Sequence, residues 1–150
     1  MKEAYAAGLI DGEGSFGIYQ KGGGLVCTLT VGMNDQRPLL MLQEIFGGRL
    51  RNKPISSPKQ EQAFEWRLDD REKIQAAVRR IEPFLISKKV HAILMIEFIE
   101  RSPANRKSPR ADNPELLKYV AVMKALNSVG PGSTDLKKEV EAAYLGNTIP

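Results

Sequence analysis

The spacing of hydrophobic positions changes period several times along the chain, and each change marks an element. Glu3 to Ile10 is almost wholly apolar or small, with Ala4, Ala7 and Gly8 at three- and four-residue spacing. That predicts a short helix buried on several sides and open to close approach of another backbone, with Gly12 ending it in a left-handed cap. From Ser15 the period drops to two. Phe16 and Ile18 alternate with Ser15, Gly17, Tyr19 and Lys21, and after Gly22-Gly23-Gly24 the residues Leu25, Cys27, Leu29 and Val31 alternate with Val26, Thr28 and Thr30. Two such runs joined by glycines predict a hairpin.

Helical signals return at Asn34 to Pro38, predicting a short helix from Leu39 to Phe46 closed by Gly47-Gly48. Arg49 to Lys53 and Ala63 to Leu68 alternate again, with Leu50, Phe64, Trp66 and Leu68 facing inward. Asp69 and Asp70 are expected to cap a helix reaching about Glu82, striped by Ile74, Val78 and Ile81. Pro83-Phe84-Leu85 interrupts, and a longer apolar helix starts at Ser87 or Lys88 and ends near Arg101. After a loop over 102–113, Asn113 and Pro114 open another helix. Gly130-Pro131-Gly132 reads as a hinge before a last one that ends near Leu145. The order α-ββ-α-ββ-α-α implies an α+β fold, a four-stranded antiparallel or mixed sheet with helices on one face and helices appended at the C-terminus.

Composition narrows the function classes. At 150 residues the chain is expected to form one domain, and 42% hydrophobic residues suffice for a core. No run has transmembrane length or a signal-peptide pattern. A single cysteine, Cys27, excludes an internal disulfide framework and a cysteine-based zinc site, and fits a reducing interior. The net charge of +4 permits nucleic-acid binding without requiring it.

The candidate chemistry begins where the first helix ends. Asp11 and Glu13 place two carboxylates at a helix C-terminus, where the dipole and free carbonyls are already negative. A cation would resolve that conflict, and carboxylate and carbonyl oxygens suit Mg²⁺ or Ca²⁺. The string Ala6-Ala7-Gly8-Leu9-Ile10-Asp11-Gly12-Glu13-Gly14 resembles the signature of the LAGLIDADG homing endonucleases. It departs from that signature at Ala6 for the first Leu, Gly12 for Ala and Glu13 for the second Asp.

The resemblance implies several expectations. The fold is expected to be a saddle-shaped αββαββα domain, matched here over about residues 3–101. The motif helices of two copies pack together, and the last acid of each motif holds a divalent metal. Glu13 is then the metal ligand, the Gly12 carbonyl a further one, and Asp11 a turn-stabilising acid at the dimer seam with Ala4, Ala7 and Gly8. Since the motif occurs once, the second helix must come from another subunit, which predicts a twofold homodimer. Lys88, in Pro83-Phe84-Leu85-Ile86-Ser87-Lys88-Lys89, matches the family's lysine near the metals. Gln36 and Arg37, with Asn34 close behind, fall where the family organises its water shell. Mg²⁺ is the expected cofactor, with Ca²⁺ or Mn²⁺ substituting in binding. The implied compartment is intracellular, an organelle or a prokaryotic cytoplasm.

The face opposite the core presents Gly17, Tyr19, Lys21, Val26, Thr28, Thr30, Arg49, Arg51, Lys53, Glu65 and Arg67, of which five are cationic and one acidic. Arg addresses guanine O6/N7, Glu accepts from cytosine N4, and Thr or Val methyls meet thymine, so this face suits a major groove. Lys59, Arg106, Lys107 and Arg110 could add phosphate contacts. An ordinary solvated sheet face has the same residue types. His91, the only histidine, lies inside an apolar helix and reads as structural. Three functions stay open: a DNA-cleaving endonuclease, a non-cleaving nucleic-acid binder such as an intron RNA-splicing maturase, and a protein-interaction domain with an incidental acidic turn.

Overall fold

In the computed structural model, the residues described are 1–103, 109–128 and 133–145, with side chains omitted for 133–136. Helix α1 (Lys2–Glu13) leads into the hairpin β1 (Gly14–Lys21) and β2 (Gly24–Met33). Then come α2 (Gln36–Phe46), β3 (Arg49–Asn52), β4 (Phe64–Leu68) and α3 (Arg71–Ile81). A 3₁₀ turn at Glu82–Phe84 precedes α4 (Lys89–Arg101), α5 (Pro114–Asn127) and α6 (Ser133–Leu145). The sheet has the order β1-β2-β4-β3, antiparallel at every pairing. It therefore settles on the antiparallel of the two arrangements that alternation allowed.

The hairpin is fixed by its two turn residues. Lys21 pairs with Gly24, and Gly22 and Gly23 between them have φ of 55° and 76°. Positive φ at both central positions is the type I′ geometry whose twist matches paired strands. Gly24 is thus part of β2 rather than of the turn. Register then decides the two faces. Phe16, Ile18, Leu25, Cys27, Leu29, Val31, Trp66 and Leu68 are buried against the helices, with Leu50 partly buried beside Trp66. Trp66 also donates from Nε1 to the Gly47 carbonyl at 2.8 Å, so its one polar atom is satisfied. Burial pushes the Cys27 thiol up to about 12, which leaves it protonated and inert.

The helices obey their caps. Asp35 accepts from Arg37 N–H at the start of α2, Asp70 from Lys73 N–H at the start of α3, and Asn113 from Glu115 and Leu116 N–H at the start of α5. Asp69 departs from the expected shared cap: it turns to the sheet instead. β1 is an edge strand, and α5 packs along it. Asn127, the last residue of α5, donates from Nδ2 to the Phe16 carbonyl at 2.7 Å, capping one of the groups an open edge would expose. The expected hinge at 130–132 lies outside the described residues. No described helix is long and apolar enough to cross a membrane.

The first helix corrects the sequence reading most. It does not stop at Gly12 with a left-handed residue; it continues through Glu13, and Gly14 leaves it in an extended conformation (φ −83°, ψ 161°). Gly14 is the indispensable glycine. A Cβ there would lie 2.6 Å from the Ile10 carbonyl oxygen, which already accepts the Gly14 N–H. The chain can therefore pass from helix to strand within one residue only if that residue has no side chain.

Candidate metal centre and nucleic-acid face

α1 has two unlike sides. Ala6, Ala7 and Ile10 are fully buried in the chain's own core. Ala4, Tyr5, Gly8 and Gly12 lie on the other side and are exposed, and a Cβ added at Gly8 would meet no atom within 4 Å. Of the residues assigned to a dimer seam, Ala4 and Gly8 are free to meet a partner. Ala7 is not, because the chain's own core consumes it.

The two acids at the end of α1 separate just as sharply. Asp11 is half-buried and engaged: its two carboxylate oxygens accept from the backbone N–H of Ile86 at 2.8 Å and of Lys88 at 3.0 Å. Lys88 returns the contact, its Nζ donating to the Asp11 carbonyl at 2.6 Å. The helix thus does obtain a cation at its C-terminus, supplied from 77 positions downstream rather than from its own last turn. Asp11 consequently ties α1 to the turn before α4. Glu13 is exposed, and its carboxylate has no hydrogen bond or ion pair among the described residues.

Oxygen donors are what this end offers. The Ile10 carbonyl is taken by Gly14 and that of Asp11 by Lys88, while Gly12, exposed, has no such bond among the described residues. An unspent carboxylate and carbonyl side by side are a hard donor set that fits Mg²⁺ or Ca²⁺. Among the described residues no group of three or more His, Cys, Asp or Glu side chains could hold a metal within one chain.

Beside this junction lies a cavity of about 310 Å³ lined by Gly14, Ser15, Ser87, Lys88, His91, Asn127 and Lys137. His91 is 4% exposed, and its Nδ1 has no hydrogen-bond partner among the described residues. Its ring lies 6.1 Å from that of Phe16. Burial, with Lys137 and Lys88 adding repulsion, lowers its pKa to about 4, so the imidazole is neutral at ordinary pH. The expected structural histidine therefore also borders the candidate site, which sequence spacing alone did not show.

Gln36 and Arg37 open α2 three and four residues beyond the end of β2. Since Gly14 pairs with Val31, that is the same end of the sheet as the motif. Arg37, however, is bound to Asp35 through Nε at 3.0 Å and Nη2 at 2.7 Å, a chelate that holds the Asp35 carboxyl down at about 2. Asn34 donates to Glu61 at 3.0 Å. Gln36 makes no side-chain hydrogen bond among the described residues.

On the open face, the register brings together every strand residue expected there. Tyr19 pairs with Val26, Gly17 with Thr28, Thr30 with Arg67, Arg49 with Arg67, and Arg51 with Glu65. Lys53 continues β3, its N–H bonded to the Ala63 carbonyl at 2.8 Å. Two details differ from the expected surface. Thr28 is only 7% exposed, so little of it is open to a base, and Tyr19 nearby accepts from Arg67 Nη2 at 2.8 Å. Asp69 also joins the face, bonding Arg49 and lying 3.7 Å from Arg67 Nε. Sequence reading missed it because an acid before a helix looks like a cap. Arg51 meets Glu65 at 2.9 Å, while Lys21 and Lys53 have no ion pair among the described residues.

Of the loop cations, Lys59 is exposed, and Arg110 bonds Asp112 beside the hairpin at Gly24. Arg106 and Lys107 lie outside the described residues.

No protein-family model matches the sequence, and no curated protein does. Solved structures do match over nearly the whole chain. The archaeal intron-encoded homing endonuclease I-Vdi141I, complexed with DNA, superposes with a TM-score of 0.65 at 19% identity, covering 97% of this chain and 98% of that one. The homing endonuclease I-CvuI in complex with its target in the presence of Ca gives 0.62 at 23% identity, covering 99% and 96%. This chain has the LAGLIDADG homing-endonuclease fold. The LAGLIDADG meganuclease I-AabMI, bound to uncleaved DNA, gives 0.64 at 18% identity, and there 91% of this chain spans 48% of the other. One copy of this chain thus corresponds to about half of I-AabMI and to all of I-Vdi141I.

Proposed function

We propose that this protein is a homodimeric, sequence-specific DNA endonuclease that cuts both strands of a long pseudo-palindromic site by divalent-metal-dependent phosphodiester hydrolysis. The observation that carries the reading is the pairing of an unspent Glu13 carboxylate with an exposed small-residue stripe, Ala4 and Gly8, on the same helix. Two copies joined along that stripe would bring two Glu13 side chains to one axis, supplying from two chains the carboxylates that one chain lacks. Complexes of I-CvuI and I-Vdi141I with DNA support the substrate class.

Divalent ions at such an axis supply an activated water and charge neutralisation for phosphodiester hydrolysis. Glu13 and the Gly12 carbonyl would hold them, with Mg²⁺ the expected ion. Lys88 acts from the adjoining turn. Held by the Asp11 carbonyl 2.6 Å away, its ammonium stays at the motif's end, where it can stabilise developing negative charge. Gln36 would bind water at the same end. Arg37, chelated by Asp35, steadies the loop more than it reaches the reacting phosphate. Lys21, Arg49, Arg51, Lys53, Glu65 and Arg67, with Tyr19, Val26 and Thr30, would meet the groove.

The runner-up is a nucleic-acid binder that does not cut, such as an intron RNA-splicing maturase. A randomised duplex library incubated with the protein separates the two. The nuclease reading expects Mg²⁺-dependent cleavage enriched for a twofold-related consensus and abolished by EDTA. Tight duplex binding with no cleavage in any divalent metal would favour the binder.

A further inference from the structure

The arginines of the open face are not loose arms. One carboxylate oxygen of Asp69, just past β4, bonds Nη2 of Arg49 on β3 and lies 3.7 Å from Nε of Arg67 on β4. Arg67 in turn reaches Tyr19 on β1, its Nη2 donating to the hydroxyl at 2.8 Å. A continuous chain, Arg49–Asp69–Arg67–Tyr19, therefore runs from one edge strand of the sheet to the other.

An arginine free to swing finds phosphates on any duplex, and those contacts are sequence-independent. One fixed in orientation is fit for the bidentate geometry of a guanine edge. We infer that Asp69 is a specificity-determining positioning residue, which holds Arg49 and Arg67 in one arrangement on the sheet and so withholds them from the backbone of arbitrary DNA. The inference rests on the endonuclease reading above. Asp69 makes no base contact itself in this role; it acts through the two arginines.

Fluorescence anisotropy on a random-sequence duplex, across a salt series, tests it, with the selected target measured in parallel. Asp69→Asn is compared with Glu44→Gln, which removes the same charge from an exposed position on α2, away from the face. Asp69→Asn should bind random duplex about fivefold more tightly at 0.15 M salt and steepen the salt slope by about 0.9, the effect of one added phosphate contact. Its target-to-random affinity ratio should fall, and adding Arg49→Gln should cancel the gain on random duplex. Glu44→Gln should leave the ratio unchanged. If Asp69→Asn and Glu44→Gln gave the same slope and ratio in a wild type that binds duplex, the inference would be overturned alone. A wild type that bound no duplex at any salt would overturn the endonuclease reading with it.

Discussion

Two charged regions of this molecule are built on opposite plans. On the open face of the sheet, each arginine is matched by an acid of the same chain: Arg49 and Arg67 by Asp69, Arg51 by Glu65. At the end of α1, two residues apart, one acid is fully used and the other is left bare. Asp11 accepts two backbone N–H groups, while Glu13 meets nothing among the described residues. The difference teaches where to look for a ligand. A charge satisfied within the fold orients its neighbours; a charge left without a partner in the fold is available to a ligand from outside the chain.

Variants on either side of this contrast have distinct expected outcomes. The largest effect expected without touching a charge is at Gly8, whose exposed position has room for a side chain in one protomer but not between two closely packed helices. Gly8→Leu should convert the proposed dimer to monomer in light scattering while leaving the monomer folded; an unchanged dimer would move the proposed seam elsewhere. Asp11→Ala comes next. It strands the N–H groups of Ile86 and Lys88 and should cost about 3 kcal/mol in denaturant unfolding, since hydrogen bonds to a charged acceptor are each among the stronger ones. A loss under about 1 kcal/mol would mean that Asp11 is no more engaged than Glu13.

His91 gives a smaller, pH-dependent effect beneath the same helix end. Its folded pKa, near 4, lies below the ordinary 6.5, so between those values the unfolded chain binds a proton that the folded one does not. Stability contributed by the neutral ring is then present above about pH 6.5 and is lost as pH falls towards 4. The loss between pH 7.5 and 5 should be about 2 kcal/mol. His91→Gln should remove that portion of the pH dependence, and an unaltered profile would show that the ring is not buried as described.

Much of this was legible from residue order. The alternating strands, the Asp70 and Asn113 caps and the motif string all lie within short windows, where local sterics and hydrogen bonding dictate the outcome, whereas α2 starts at Gln36, capped by Asp35, rather than at Leu39. What escaped was non-local or one atom wide. That Lys88 rather than a residue of α1 neutralises the helix end depends on a contact across 77 positions. That Gly14 rather than Gly12 is the turning point depends on the Ile10 carbonyl oxygen, which a Cβ at Gly14 would approach to 2.6 Å. Asp69 was hidden by its neighbour, because two acids before a helix compete for one cap and only packing chooses between them. Ala7 looked like its neighbours Ala4 and Gly8, and only helix rotation showed which side the core had taken.

Two measurements on one variant separate the role of Glu13 in stability from its role in cleavage. Glu13→Gln should melt at or slightly above the wild-type temperature, by a few tenths of a kcal/mol, because it removes an unpaired negative charge from a helix C-terminus. The same variant should lose Mg²⁺-dependent cleavage of the selected target by about 10³-fold or more, the loss of several kcal/mol of metal-borne stabilisation. A variant that melted well below wild type, or that went on cutting at the wild-type rate, would contradict the account.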